Sequence, residues 1–333
     1  MSAGAAAPAR DRHQGRRIAT AYVWATIGAI AVVVQAYVYA SWLLSPDLVP
    51  APLGPDPVPP SDKMWAWILQ PLFVAAGLAA TLWIVRGCIR AGRFTFDAKL
   101  WCAFMSLAWL DTVANFTRPV VAFNAYYVNL GSWNADIPGW MSAGVRRFPS
   151  TFLIEFPSYM FLALVPVAGC AFLRALSKRW PRLGPIRLLG CWWLVAIVFM
   201  VAFEEPLARA GWLIWIGGNV PGLTLWPGTR YQLPLLLDPI LWGGPVLTAV
   251  TALRYYRDDR GRCWVERGLD TVSRLAPRVG TAMSTLAVIG FATVGMVIYA
   301  VGGTVVAQAH TVAPPGMPSY MRAGLCQTDA DAC

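Results

Sequence analysis

Four carboxylates stand where an apolar chain has little use for them. Asp111, Glu155 and Asp238 lie inside long, otherwise uncharged runs, and Glu204 closes another. Holding an ionised carboxylate near the centre of a bilayer costs roughly 2.5 to 3.5 kcal/mol even on the lenient insertion scale. Asp111 precedes Arg118 by seven residues, Glu155 follows Arg147 by eight, and Asp238 follows Arg230 by eight. At about 1.5 Å of helical rise per residue, each lies about 10 to 12 Å below the charged boundary. Three helices therefore offer a carboxylate at one depth, and Glu204 and Glu205 end a fourth near the same side. Such a set suits general acid–base work, in which one carboxyl delivers a proton and another takes one up or faces a developing cation. Helical spacing puts Asn115 one turn beyond Asp111 on the same face, an acid and an amide aimed together into the bundle. The structural alternative is that the acids lock helices by pairing with Arg118, Arg146, Arg147, Arg209 or Arg230. Most of the 17 tryptophans suit interfacial belts. Trp133, Trp140, Trp212, Trp215 and Trp226 fall on the acid-bearing side, where their ring faces can stabilise a cation.

The elements that position these groups follow from composition. The 333 residues are 57% hydrophobic and 13% charged, with a mean hydropathy of +0.51. A soluble protein carries about 25% charged residues, so most of this surface faces lipid. The expected fold is an all-α bundle of about seven transmembrane helices over 18–44, 64–85, 100–116, 148–173, 188–203, 231–253 and 279–308. The first run is too long for a cleaved signal sequence. A tail over 1–17 precedes the bundle and another over 309–333 follows it. With the N-terminus inside, 20 of the 27 basic residues but only six of the 17 acids are cytoplasmic. That bias predicts a cytoplasmic N-terminus in a bacterial cell membrane. It also accounts for the net charge of +10 without a nucleic-acid partner. The outer loops are unusual. Residues 45–63 carry seven prolines and read as a stiff extended strap. Residues 117–147 hold FNAYYVNLGSWNADIPGW, too aromatic for a disordered loop. Residues 204–230 read as an interfacial segment, and Pro234, Pro239 and Pro245 interrupt the sixth helix around Asp238. The C-terminal tail reads as disordered.

Other chemistries lack their signatures. Neither His13 nor His310 has a partner at ligand spacing, and the seven cysteines form no C-x-x-C, which argues against a metal centre. Cys326 and Cys333 fall outside, where pairing is chemically open. No Walker loop, G-x-G-x-x-G or G-x-S-x-G is present, and no internal repeat speaks for an inverted-repeat transporter.

LDTVANF followed by RP, then FNAYYVNLGSWNADIPGW, RWPRLG, LTLWPGTRYQLPL and RYYRDDRGRCWVERGLD together resemble the AveC spirocyclase family of macrolide biosynthesis, over roughly residues 105–272. The resemblance implies an integral membrane protein of actinomycetes that closes spiroketals without a cofactor. Taken with the depth of the acids, it points to Asp111 and Glu204 as the leading acid–base pair, with Glu155 and Asp238 completing the set. It makes Asn115, Asn124, Tyr231, Trp133, Tyr127 and Glu205 the groups that position and line the substrate. The expected partners are a hydrophobic polyketide or isoprenoid substrate and the lipid bilayer. The residues leave two other functions open: cyclisation of a terpenoid or polyprenyl chain by the same acids, and carriage of a hydrophobic compound without catalysis.

Overall fold

A computed structural model describes residues 11–46, 48–142, 148–259, 261–309 and 313–322. Arg146, Arg147, Cys326 and Cys333, which bear on the ion-pair and pairing expectations, lie outside them. Six helical segments are long and apolar enough to cross a membrane: Thr20–Leu43, Pro60–Ala91, Phe152–Arg179, Pro185–Arg209, Leu236–Tyr255 and Pro277–Gln308. The chain is thus an all-α, multi-pass membrane protein. The run expected to span over 100–116 takes another form. It is a 12-residue α-helix, Phe96–Leu107, that tightens into a 3-10 helix over Ala108–Asn115.

Helix α1 (Asp11–Leu43) leads through the extended proline strap to α2 (Pro60–Ala91), which starts on a proline at its first position and stops at Gly92. Gly92 adopts φ +61°, and its N–H closes the last turn onto Cys88 and Ile89, the left-handed stop that glycine permits. Thr95 caps α3 (Phe96–Leu107) by accepting from the Ala98 N–H at 3.3 Å. Helices α4 (Phe152–Leu162) and α5 (Val165–Arg179) form one span with a break at 163–164, and α6 (Pro185–Arg209) returns. The next span begins as π-helix over Leu236–Ile240 and Gly243–Thr248 before settling into α7 (Ala249–Tyr255). Proline cannot donate a backbone hydrogen bond, and the turns around Pro239 and Pro245 widen accordingly. The Ile240 N–H reaches Leu235 O at 2.9 Å, Trp193 Nε1 donates to the Ile240 carbonyl at 3.1 Å, and Thr248 Oγ1 donates to Gly243 O at 2.7 Å. Neighbouring side chains thus satisfy carbonyls that the irregular winding would leave bare.

A short α8 (Asp270–Leu275) precedes α9 (Pro277–Ala309), the helix around which the others assemble. The α9 span and the Leu236–Tyr255 span are each 56% buried, against 22–33% for the rest. Helix α9 packs on α1 at backbone distance. A Cβ at Gly28 would stand 1.9 Å from Leu286 O, and one at Gly290 would stand 2.2 Å from Trp24 O. Small residues at such a seam let membrane helices approach closely enough for dispersion to hold them.

At one end of the bundle the long loops fold into a two-stranded ribbon. Strand β1 (Val121–Phe123) pairs antiparallel with β2 (Leu213–Trp215), in register Val121 to Trp215 and Phe123 to Leu213. A smaller pair, β3 (Thr224–Leu225) with β4 (Leu233–Pro234), follows. Of the 204–230 segment, residues 204–209 continue α6 and the rest is folded over this end as turn and ribbon. The disordered reading of the C-terminal tail fails for residues 313–322, where Ser319–Met321 form a 3-10 turn and Tyr320 and Met321 are buried.

Candidate active site

Strand geometry determines what the ribbon presents to the bundle. Side chains alternate faces, so Val121, Phe123, Leu213 and Trp215 point one way and Ala122 and Ile214 the other. The first set roofs a cavity of about 60 Å³ whose walls come from α4, α6, the π-helical segment and α9. The second set packs under Val58 of the strap and Met317, Tyr320 and Met321.

All four carboxylates singled out from the sequence line this cavity: Asp111, Glu155, Glu204 and Asp238. Glu155, Glu204 and Asp238 are buried, and Asp111 half-buried. Tyr159 Oη donates to Asp111 Oδ1 at 2.7 Å. Glu155 Oε1 accepts from the Thr151 N–H at 2.5 Å and from Thr151 Oγ1 at 3.0 Å, closing the first turn of α4, while its Oε2 has no partner among the described residues. Trp215 Nε1 donates to Glu204 Oε2 at 3.1 Å. Glu204 and Asp238 are neighbours in the cavity wall, and two carboxyl groups that meet without a cation favour holding one proton between them. Asp238 Oδ2 has no partner among the described residues. Among the described residues no lysine or arginine lines the cavity. Three of the five arginines offered as structural partners are described, and they are otherwise engaged: Arg209 pairs with Glu205 at 2.6 Å, Arg230 approaches Asp62 at 3.6 Å, and Arg118 donates to Gln308 O at 3.4 Å. No group of three or more His, Cys, Asp or Glu among the described residues has metal-binding geometry.

The six proposed positioning and lining groups stand elsewhere, since none lines the cavity. Asn115 misses Asp111's face because the helix is wound 3-10 there. Four residues turn about 120° out of phase at three residues per turn, against about 40° in an α-helix. Its amide instead clamps the start of β1, with Nδ2 donating to Val121 O at 2.9 Å and Oδ1 accepting from the Val120 and Val121 N–H groups at 2.7 and 2.9 Å. Asn124 holds the other end, donating to Gly211 O at 2.9 Å and accepting from Tyr126 N at 2.9 Å. Trp133 is fully buried, donates to Trp109 O at 2.8 Å and packs on Tyr39, Trp42 and Phe156. Tyr127 is buried in the core beneath the loop. Tyr231 lies under the Arg209 guanidinium at 4.0 Å from its ring centre, and that same arginine pairs with Glu205.

Of the five outer-side tryptophans, Trp212 and Trp215 line the cavity, and Trp133, Trp140 and Trp226 do not. Trp212 also ties roof to wall, donating to Thr151 Oγ1 at 2.9 Å. Sequence reasoning missed Tyr159, Trp242 and Tyr299, all of them lining residues. Two had a usable signal, because Tyr159 and Trp242 each follow an acid, Glu155 and Asp238, by four residues. Tyr299 lies in an unbroken apolar run that marks nothing out.

A ring of carboxyl groups set among apolar helices defines a multi-pass membrane protein with a carboxyl-lined cavity. The family model described as Spirocyclase AveC-like matches residues 91–324, over two thirds of the sequence, and the chain belongs to that family. The matched region takes in all four cavity acids and both strands of the roof, and it extends the 105–272 resemblance in both directions. Membership suggests an enzyme with a cyclase role in polyketide biosynthesis. Comparison with curated proteins and with solved structures gave no match.

Proposed function

We propose that the chain is a cofactor-free acid–base cyclase that closes a spiroketal from a lipophilic dihydroxy ketone, with loss of water. The observation that carries this reading is the convergence of four carboxyl groups, without a basic neighbour, on one cavity with aromatic walls. A proton held by Glu204 and Asp238 goes to the ketone oxygen as the first hydroxyl adds, and that hydroxyl's own proton returns to the pair, giving a hemiketal. Protonation of the hemiketal hydroxyl releases water and leaves an oxocarbenium ion. The second hydroxyl captures that ion, and its proton passes through Asp111 or Glu155 back to the Glu204 and Asp238 pair, which had protonated the departing hydroxyl, so the acids end as they began. Trp212, Trp215 and Trp242 face the cation with their rings. Tyr159 positions Asp111. Because ketal closure proceeds slowly unaided, the protein's selectivity comes from holding one folded arrangement of the substrate. A cavity of about 60 Å³ holds a few waters, so Phe203, Met200 and Met296 in its wall must shift for the ring-forming atoms to enter.

The test is incubation of the purified protein, in detergent or nanodiscs, with an open dihydroxy ketone precursor, followed by chromatography of product stereoisomers. One stereoisomer is expected in excess, and Tyr159→Phe is expected to slow its formation about tenfold, as loss of one hydrogen bond to a charged group implies. The same isomer mixture at the same rate as in buffer rejects the reading. The tryptophan walls also suit cyclisation of a prenyl chain, and conversion of a linear polyprenyl substrate in place of the ketone would favour that second reading.

The proposal carries an orientation, with the cavity roof outside the cell and the arginine-rich end inside. Cys263 is fully buried and cannot report it, so introduced cysteines are needed. A membrane-impermeant maleimide applied to intact cells should label Pro227→Cys and spare Arg86→Cys. The reverse pattern inverts the topology.

A further inference from the structure

At the end of the bundle opposite the acid cavity, a second concavity of about 490 Å³ is enclosed by the α2–α3 turn, α3, α5, α7 and the loop after it. That volume lies within the range of ligand sites, about 300–1,000 Å³. Its character is the reverse of the first: six basic side chains line it against two acids. Part of that charge is already spent. Lys99 pairs with Glu266 at 2.6 Å, with Ser284 bridging, and Arg254 grips Asp97 through Nε and Nη2 at 2.8 and 3.2 Å. The Lys99 and Ser284 contacts and the Cys263 N–H outweigh the cost of burial and hold the Glu266 carboxyl below its ordinary range. Arg262 is shared between Asp258 and Asp270.

Arg93, Arg174 and Arg257 have no carboxylate partner among the described residues, and they come from three separate elements. Arg257 is the most constrained. Its guanidinium stacks over Phe96 at 3.9 Å, and Nε and Nη1 donate to Arg254 O and Gly261 O at 3.0 and 3.3 Å. Burial and the adjacent Arg254 charge pull it below the usual arginine range. Like charges gathered in a concave site focus a field that attracts a counter-ion, and guanidinium forks match phosphate oxygens in pairs. Exposed Phe94 at the rim adds an apolar edge beside the charge.

We propose that this cleft binds a phosphate group, held between Arg93, Arg174 and Arg257. Two sources carry that chemistry, the headgroup of an anionic phospholipid and a soluble phosphate. The full chain, delipidated in neutral detergent, is offered dioleoylphosphatidylglycerol, dioleoylphosphatidylcholine or inorganic phosphate. Lipid retention is read by native mass spectrometry, and phosphate binding by the shift in unfolding midpoint at constant ionic strength. The variants are Arg174→Gln/Arg257→Gln and, as a control of equal charge change on exposed positions outside the cleft, Arg86→Gln/Arg90→Gln. The expected result is phosphatidylglycerol retention at least tenfold above phosphatidylcholine, falling at least tenfold in the cleft variant and unchanged in the control. A phosphate-induced shift lost only in the cleft variant, without lipid preference, supports the site with a soluble occupant. The proposal is overturned if neither probe binds, or if both variants or neither lose binding, because the charge of that end then acts without the cleft.

Discussion

Glu204→Gln is expected to lower the rate of spiroketal closure by a factor of roughly 10² to 10⁴, the range for loss of a positioned general acid. That corresponds to about 3 to 5.5 kcal/mol of transition-state stabilisation. The substitution is nearly isosteric. The glutamine carbonyl still accepts from Trp215 Nε1, which lies 3.1 Å from Glu204 Oε2. What disappears is the transferable proton. Asp238→Asn removes the same proton from the other side of the pair, so the double variant should be little slower than either single one, the non-additivity of groups acting as a unit. Single-turnover measurement with the open ketone checks both statements, and the unfolding midpoint should not fall. A Glu204→Gln enzyme within threefold of the parent rate would remove the pair from the mechanism and leave Asp111 and Glu155 as the acid–base set.

The second large effect is on stability. Asn115→Leu preserves volume but strips the Val120 and Val121 N–H groups and the Val121 carbonyl of their partners, at a site only 3% exposed. Each orphaned buried group costs about 1 to 3 kcal/mol, so a loss of about 3 kcal/mol or more is expected, read as a lowered unfolding midpoint in detergent. Activity falls with it, because Val121 and Phe123 form part of the cavity roof. The measurement separates this role from the one the i, i+4 spacing implies. A substrate-contacting amide would raise KM and leave the midpoint alone.

Asn115 also shows where reading the sequence stops. The acids were legible because charge in an apolar run is costly wherever it occurs, and one rise per residue was enough to place three of them at a common depth. The roles of Asn115, Asn124, Trp133, Tyr127, Tyr231 and Glu205 depended on finer geometry. A change from α to 3-10 winding turns Asn115 away from Asp111, and the pairing of two strands 92 residues apart decides which roof side chains look inward. No pattern within either segment reports that register. The strap, by contrast, was readable from its prolines alone, since residues 48–59 are non-helical and α2 begins at Pro60. The partners of the strap were not readable.

Those partners set an order of assembly. The Asp56 N–H donates to Ser319 Oγ at 2.9 Å and Ser319 N–H to Asp56 Oδ2 at 2.7 Å, across 263 residues of chain, and Ala125 N–H donates to Tyr320 O at 2.8 Å. Residues 317–321 are synthesised after every one of the six spans, yet they cover the back of the ribbon that roofs the acids. During synthesis the ribbon that roofs the acids therefore keeps one bare face until this segment arrives. The back of the roof is covered only when this late segment docks, after the helices that carry the four acids have all been made.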